Sequence, residues 1–201
     1  MNTKIENIGA CVFDAYGTLF YVASAAAHCK EDIGEKWEQL SDIWRMKQLN
    51  YTWLRSLMEE YIDFWQITGD ALDFALDQLD IEDAALRQKL MELYETLDTY
   101  PEVPEMLKTL RKAGLQTAIL SNGNPAMLSS AIESAGLAAL FDGVISVDTL
   151  KMYKPHPSVY QLAVEQLKLP AERICFMSSN TWDVAGAANF GFQVNWVNRF
   201  G

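Results

Sequence analysis

Cysteine is scarce in this chain. Cys11, Cys29 and Cys175 are the three among 201 residues, odd in number and without metal-ligand spacing. Cys11 and Cys175 fall in apolar runs and read as small buried hydrophobes of a reducing compartment. Positive charge is scarce too: 16 Lys and Arg stand against 27 Asp and Glu, a formal net charge of −11. Non-specific nucleic-acid binding needs a basic face, so nucleic acid is not an expected partner. A small anion is not excluded, because one or two local cations can dominate a pocket. No uninterrupted apolar run is long enough to span a bilayer, and no membrane partner is expected. The opening Met1-Asn2-Thr3-Lys4-Ile5-Glu6 lacks the apolar core of a secretory signal, so the cytoplasm is the expected compartment. Low-complexity segments are also missing, and half of the residues are hydrophobic. The length suits one domain with an insert and a sizeable core.

The texture changes twice along the chain. Up to about Val22 there is one apolar strand, Ile8-Gly9-Ala10-Cys11-Val12-Phe13, and a turn. From about Ala23 to Asp98 little proline or glycine interrupts a helical pattern. Trp37, Leu40, Ile43 or Trp44 recur at helical spacing, as do Leu54, Leu57, Met58, Tyr61, Ile62 and Trp65. Gly69-Asp70 predicts a break with Asp70 capping the next helix, and a further helix is expected from about Glu82 to Leu97.

From Tyr100 short apolar strands alternate with helices. Strands are expected at Leu115 to Leu120, Gly143 to Val147, Arg173 to Met177 and Gln193 to Val197. The chain closes on Asn198-Arg199-Phe200-Gly201, just past the last of them. Strict alternation predicts an α/β fold: a Rossmann-like parallel sheet with helices on both faces. The first strand joins that sheet only if the helical block is an insertion. The expected division is a core of 1–22 and 99–201 with an all-helical cap of 23–98.

Parallel sheets carry their sites at the carboxyl ends of the strands. The polar residues there are Asp14 and Thr18, then Ser121 and Asn122, then Ser178, Asn180 and Asp183, with Lys154 after a loop. An aspartate before glycine often just caps a turn, but here an apolar strand delivers it to the rim. A carboxylate nucleophile must stay ionised while desolvated, which a nearby cation secures. Lys154 is the candidate; most loop lysines are solvated, but Tyr153-Lys154-Pro155-His156-Pro157 is stiff and favours a fixed role. The Ser and Asn residues read equally as helix caps or as donors to an anion. Asp183 alone reads as a first-turn helix acid. His28 and His156 receive no catalytic role.

Taken together, Asp14 to Thr18, Ser121, Lys154 and Ser178 to Asp183 resemble the four ordered motifs of the haloacid dehalogenase superfamily. Within it, three segments resemble the L-2-haloacid dehalogenases: Phe13-Asp14-Ala15-Tyr16-Gly17-Thr18-Leu19-Phe20, the run from Leu49 to Met58, and Ser178-Ser179-Asn180-Thr181-Trp182-Asp183-Val184-Ala185-Gly186-Ala187. The phosphatase branch typically carries a second aspartate two residues after the first, as general acid and metal ligand. Here Tyr16 stands there. Halide leaves as a stable anion and needs no acid, so the resemblance implies neither cofactor nor metal.

It implies hydrolysis of (S)-2-haloalkanoic acids to (R)-2-hydroxy acids through an ester on Asp14. Thr18 would position Asp14. Asp183, with Ser178, Asn180 and Lys154, would orient the hydrolytic water, and Tyr160 matches a family tyrosine near the site. Ser121 and local backbone amides would hold the substrate carboxylate. Arg45, by pattern a surface arginine, would receive the halide together with Asn122. Ala15, Tyr16, Leu49, Phe64 and Trp182 would complete the substrate pocket; for Leu49 and Phe64 ordinary core packing fits as well. The implied partners are a small 2-haloacid, its halide and a second copy of the chain. The rival readings are a magnesium-dependent phosphatase on the same fold and a non-catalytic small-anion binder.

Overall fold

An apolar run without alternation suits the middle of a parallel sheet, where both faces are covered. In the computed structural model, which describes residues 5–199, that run forms β1 (Ala10–Phe13), buried at every position. Met1 to Lys4, within the run read for a signal, and Phe200-Gly201 at the tail lie outside the described residues. β1 pairs in parallel with β2 (Gln116–Ser121) and with β4 (Ile174–Ser178). β3 (Gly143–Ser146) and β5 (Gln193–Trp196) complete the order β3-β2-β1-β4-β5. Phe13 stands level with Ile119 and Met177. The connections diverge on either side of β1, which opens a crevice at its carboxyl end. Asp14 is the first residue past that end, and its N–H donates to the Met177 carbonyl at 2.9 Å.

Between β1 and β2 the expected helical cap is present: α1 (Ser24–His28), α2 (Lys30–Ile33), α3 (Trp37–Met58), α4 (Phe64–Gln78) and α5 (Ala84–Glu95). The alternating helices follow as α6 (Val103–Lys112), α7 (Pro125–Ser134), α8 (Pro157–Leu167) and α9 (Thr181–Phe190). The two segments that join cap to core run side by side. Phe20 bridges Thr99, and Tyr21 N–H donates to the Asp98 carbonyl at 2.7 Å.

One expectation for the cap needs correction. The break is not at Gly69-Asp70; α4 runs through both. A glycine weakens a helix interior, but here the Arg87 guanidinium and Met91 lie over Gly69, 3.3 and 3.7 Å from where a Cβ would stand. Close approach of α5 therefore accounts for this glycine. The break falls at 59–63 instead. Glu59 closes α3 in the left-handed region (φ 58°), and Asp63 caps α4 by accepting from Trp65 N–H at 2.7 Å. The helical reading of Leu54, Leu57 and Met58 holds on α3, where these side chains face outward, 52%, 81% and 56% exposed.

Candidate active site

Three charged side chains meet in the crevice above β1. Lys154 Nζ lies 2.9 Å from Asp14 Oδ1 and 2.8 Å from Asp183 Oδ2. All three are buried; the Lys154 and Asp183 side chains are 1% and 0% exposed. Burial alone would push the lysine toward its neutral form, but the two carboxylates outweigh it and its pKa is raised. Asp183, wholly buried and beside a second carboxylate, is harder to ionise than an ordinary carboxyl group. Burial first, and then the charge of Asp14, raise it to about 6 against the pull of Lys154.

The remaining contacts fix Asp14. Its Oδ2 accepts from Thr18 Oγ1 at 3.0 Å and from Asn180 Nδ2 at 2.9 Å. Thr18 Oγ1 in turn accepts from Ser179 N–H at 2.9 Å, and Ser179 Oγ donates to the Gly17 carbonyl at 2.8 Å. The turn after β1 is thereby clamped to the loop after β4. Tyr160, from α8, donates to Asp183 Oδ1 at 2.8 Å. The structure thus brings together Asp14, Thr18, Lys154, Tyr160, Asn180 and Asp183, which the chain scatters over its whole length.

Other expected residues sit one step further out. Asn122 Oδ1 accepts from the Lys154 backbone N–H at 3.0 Å, which holds the lysine's loop to the end of β2. The Ser121 and Ser178 hydroxyls accept from the N–H groups two residues on, Gly123 and Asn180, each at 3.1 Å. Both therefore shape their loops rather than touch Asp14. Ala15 is fully buried, and its carbonyl accepts from Leu19 N–H at 2.9 Å within the turn.

Tyr16 is buried within an aromatic group, its ring 5.5 Å from Tyr94 and 5.8 Å from Phe64. Burial holds its phenol far above the usual range, so it stays neutral. A Cβ on Gly123 would come within 2.7 Å of this ring, so glycine is required there. Trp182 meets Trp53 of the cap edge-on at 5.4 Å. Beside them, a crevice of about 350 Å³ between cap and core is lined by Trp53, Leu57, Tyr153, Lys154, Pro155 and Trp182. Leu49 is half-buried on α3.

Arg45 reaches from α3 to the core. Its guanidinium donates to the Tyr16 carbonyl at 2.9 Å and to Gln48 Oε1 at 2.8 Å. The surface-arginine reading is thus replaced by a contact with the turn that carries Asp14. His28 pairs with Asp98 in solvent, and His156 Nδ1 accepts from Ser158 N–H at the start of α8.

A hard dication wants several oxygen anions. The acids facing the crevice are already bridged by an ammonium. Among the described residues no three or more of His, Cys, Asp or Glu are grouped to hold a metal. This donor set does not fit a divalent ion.

Sequence reasoning missed Gln48, Tyr94 and Arg199. Gln48 follows Arg45 by one turn on the buried stripe of α3, where a polar residue between apolar neighbours is itself a signal. Arg199 donates to the Thr18 carbonyl at 2.7 Å, with its guanidinium 3.6 Å over the Tyr100 ring. No pattern near the chain end pointed to that contact.

The haloacid dehalogenase-like hydrolase family model matches residues 8–191. The chain is 46% identical to (S)-2-haloacid dehalogenase 4A of Burkholderia cepacia, over 98% of this chain and 86% of that protein. It is 47% identical to (S)-2-haloacid dehalogenase 1 of Pseudomonas sp. strain CBS-3, over 97% and 86%. Among solved structures it superposes with a TM-score of 0.90 on the L-2-haloacid dehalogenase of Xanthobacter autotrophicus with chloropropionic acid covalently bound, at 44% identity over 96% and 79% of the two chains. With the motifs assembled in one crevice and likeness running almost the full length, the chain belongs to the haloacid dehalogenase-like hydrolases and, within them, to the L-2-haloacid dehalogenase family.

Proposed function

We propose that this protein hydrolyses (S)-2-haloalkanoic acids to (R)-2-hydroxyalkanoic acids and halide, through an ester on Asp14. The observation that carries the reading is how Asp14 is held. Lys154 takes one oxygen and Thr18 with Asn180 the other, while the position two residues on is a neutral, buried tyrosine. That leaves an oriented carboxylate with no acid at the position two residues on. Such a site suits displacement of a group that departs without a proton.

An Asp14 oxygen attacks C2 from the side opposite the halogen. The C–O bond forms as the carbon–halogen bond breaks, and halide leaves with the electron pair toward Arg45 and Asn122. Water then attacks Cγ of Asp14, giving up a proton to Asp183, which Tyr160 and Lys154 orient. The Cγ–O bond to the substrate breaks, and the product oxygen takes up a proton. Ser121 and neighbouring amides hold the substrate carboxylate. Ala15, Tyr16, Leu49, Phe64 and Trp182 enclose the rest of the substrate, and Ser178 supports Asn180. The chain divides into a core of 1–22 and 99–201 and a cap of 23–98. It works as a homodimer through the exposed apolar face of α3. We place it in the cytoplasm, which its three free thiols favour.

Single-turnover hydrolysis in oxygen-18 water tests the path. The label is expected in Asp14 and absent from the product hydroxyl. Label in the first-turnover product would mean direct attack by water and would remove Asp14 as nucleophile.

A further inference from the structure

Arg45 has only donors to offer, and a long side chain loses much rotamer freedom when it is fixed. Something must hold it, and the nature of the holder matters. A carboxylate partner would neutralise the guanidinium, and little of its charge would remain for an arriving anion. Among the described residues Arg45 has no ion-pair partner; its hydrogen bonds go to two neutral oxygens, the Tyr16 carbonyl and Gln48 Oε1.

Gln48 is 1% exposed and is itself held on every side. Its Nε2 donates to Thr68 Oγ1 at 2.7 Å and lies 3.0 Å from the Tyr94 hydroxyl. Its Oε1 accepts from that hydroxyl at 3.1 Å as well as from Arg45. Thr68 gives its own proton to the Phe64 carbonyl at 2.7 Å, so it meets Gln48 as an acceptor. The amide therefore has one consistent orientation, with its oxygen toward the guanidinium. Tyr94, 1% exposed, also stacks on Tyr16, so the same residue braces both groups that Arg45 touches. Buried polar groups are costly unless all are satisfied. A closed network of neutral groups around a single cation is a specific arrangement rather than packing filler.

We infer that Gln48, oriented by Thr68 and Tyr94, is a positioning residue: it fixes Arg45 over the Asp14 turn while leaving its positive charge uncompensated for the departing halide. This rests on Arg45 as the halide acceptor. The effect on reaction is specific. Chloride leaves carbon less readily than bromide and needs more stabilisation as it departs. Damage to the Arg45 site therefore slows chloro substrates more than bromo substrates.

The test compares kcat/KM for (S)-2-bromopropionate and (S)-2-chloropropionate, which reports the steps up to carbon–halogen cleavage. The bromo/chloro ratio is taken on one enzyme preparation, so a folded fraction below unity cancels. Gln48→Glu sets a carboxylate against Arg45 and is expected to raise the ratio roughly tenfold. Tyr94→Phe removes one oxygen, keeps the ring on Tyr16, and is expected to raise it several-fold; it decides the matter if Gln48→Glu does not fold. Arg45→Lys is the control and should raise the ratio at least as far as Gln48→Glu. In the Arg45→Lys background Gln48→Glu should add little, since both act on one interaction. If Arg45→Lys raises the ratio while Gln48→Glu and Tyr94→Phe leave it unchanged, the positioning role is overturned and the halide site stands. If Arg45→Lys leaves the ratio unchanged, the halide role of Arg45 fails, and this inference with it.

Discussion

Asp183 occupies a place where a carboxylate ionises with difficulty. Its side chain is fully buried, and Asp14 shares its single cation, so its pKa sits at about 6. The stability this shift contributes is present below the ordinary carboxylate range and is lost as pH rises through about 6. In the proposed reaction the sign is opposite, because only the ionised form could accept the proton of the water. The proposed ester on Asp14 would remove that residue's charge, one of the causes of the shift. The pKa of Asp183 in the ester state should therefore lie below about 6. Hydrolysis of the preformed ester, followed by rapid quench, is expected to lose rate through one protonation below that pH; an acid limb at or above it would count against Asp183 as the base. Asp183→Asn should release one equivalent of halide in a burst and then turn over roughly 10²–10⁴-fold more slowly. A variant with no burst would place Asp183 in the first step. Asp14 and Lys154 were legible because an apolar strand and a stiff loop deliver them to the strand ends. The partners of Gln48 and Tyr94 were not, since the stripe position of Gln48 can mark it as buried but cannot name its neighbours across α4 and α5.

At the scale of elements, the junction between α3 and α4 carries more than its sequence suggests. Asp63 caps α4, Asn124 caps α7 by accepting from Met127 N–H at 2.8 Å, and Asn124 Nδ2 also donates to Asp63 at 2.9 Å. Cap and core are thus joined through the starts of two helices. Nearby, Tyr61 donates to Asp148 at 2.7 Å and Tyr153 to the Ile62 carbonyl at 2.6 Å. Asp63→Ala is expected to cost about 1–2 kcal/mol, a fall in Tm of roughly 2–8 °C for a chain of this size. An unchanged melting curve would show the junction to be held by the tyrosines alone. The strands of the sheet were readable as short apolar runs between glycines and polar ends. The junction was not: Glu59 enters the left-handed region without a glycine, and Gly69 mimics a break that packing against α5 removes.

At the scale of the whole molecule, α3 presents an apolar face that no described residue covers. Met46, Leu54, Leu57 and Met58 on α3 are each more than half exposed, the kind of face through which the proposed dimer would associate. Leu57→Glu is expected to convert a dimer to a monomer in sedimentation analysis while shifting stability by no more than about 0.5 kcal/mol. A wild-type chain that sediments as a monomer at tens of micromolar, on the order of ordinary assay concentrations, would dismiss the dimer. At this scale the amino-acid order determined much by itself. Period and punctuation specified a parallel α/β sheet with a helical insertion, and Tyr16 after Asp14 distinguished the chemistry. Both are local properties, because the hydrophobic pattern and the residue beside the proposed nucleophile lie within a few positions. The tertiary structure alone decided which distant groups touch. It set Lys154 between Asp14 and Asp183, and it turned Arg45 from the surface onto the Asp14 turn. It also sent the Ser121 and Ser178 hydroxyls to their own loops and turned the Leu54–Met58 stripe outward. Such contacts depend on where whole helices dock, and docking is fixed by side chains far apart in the chain.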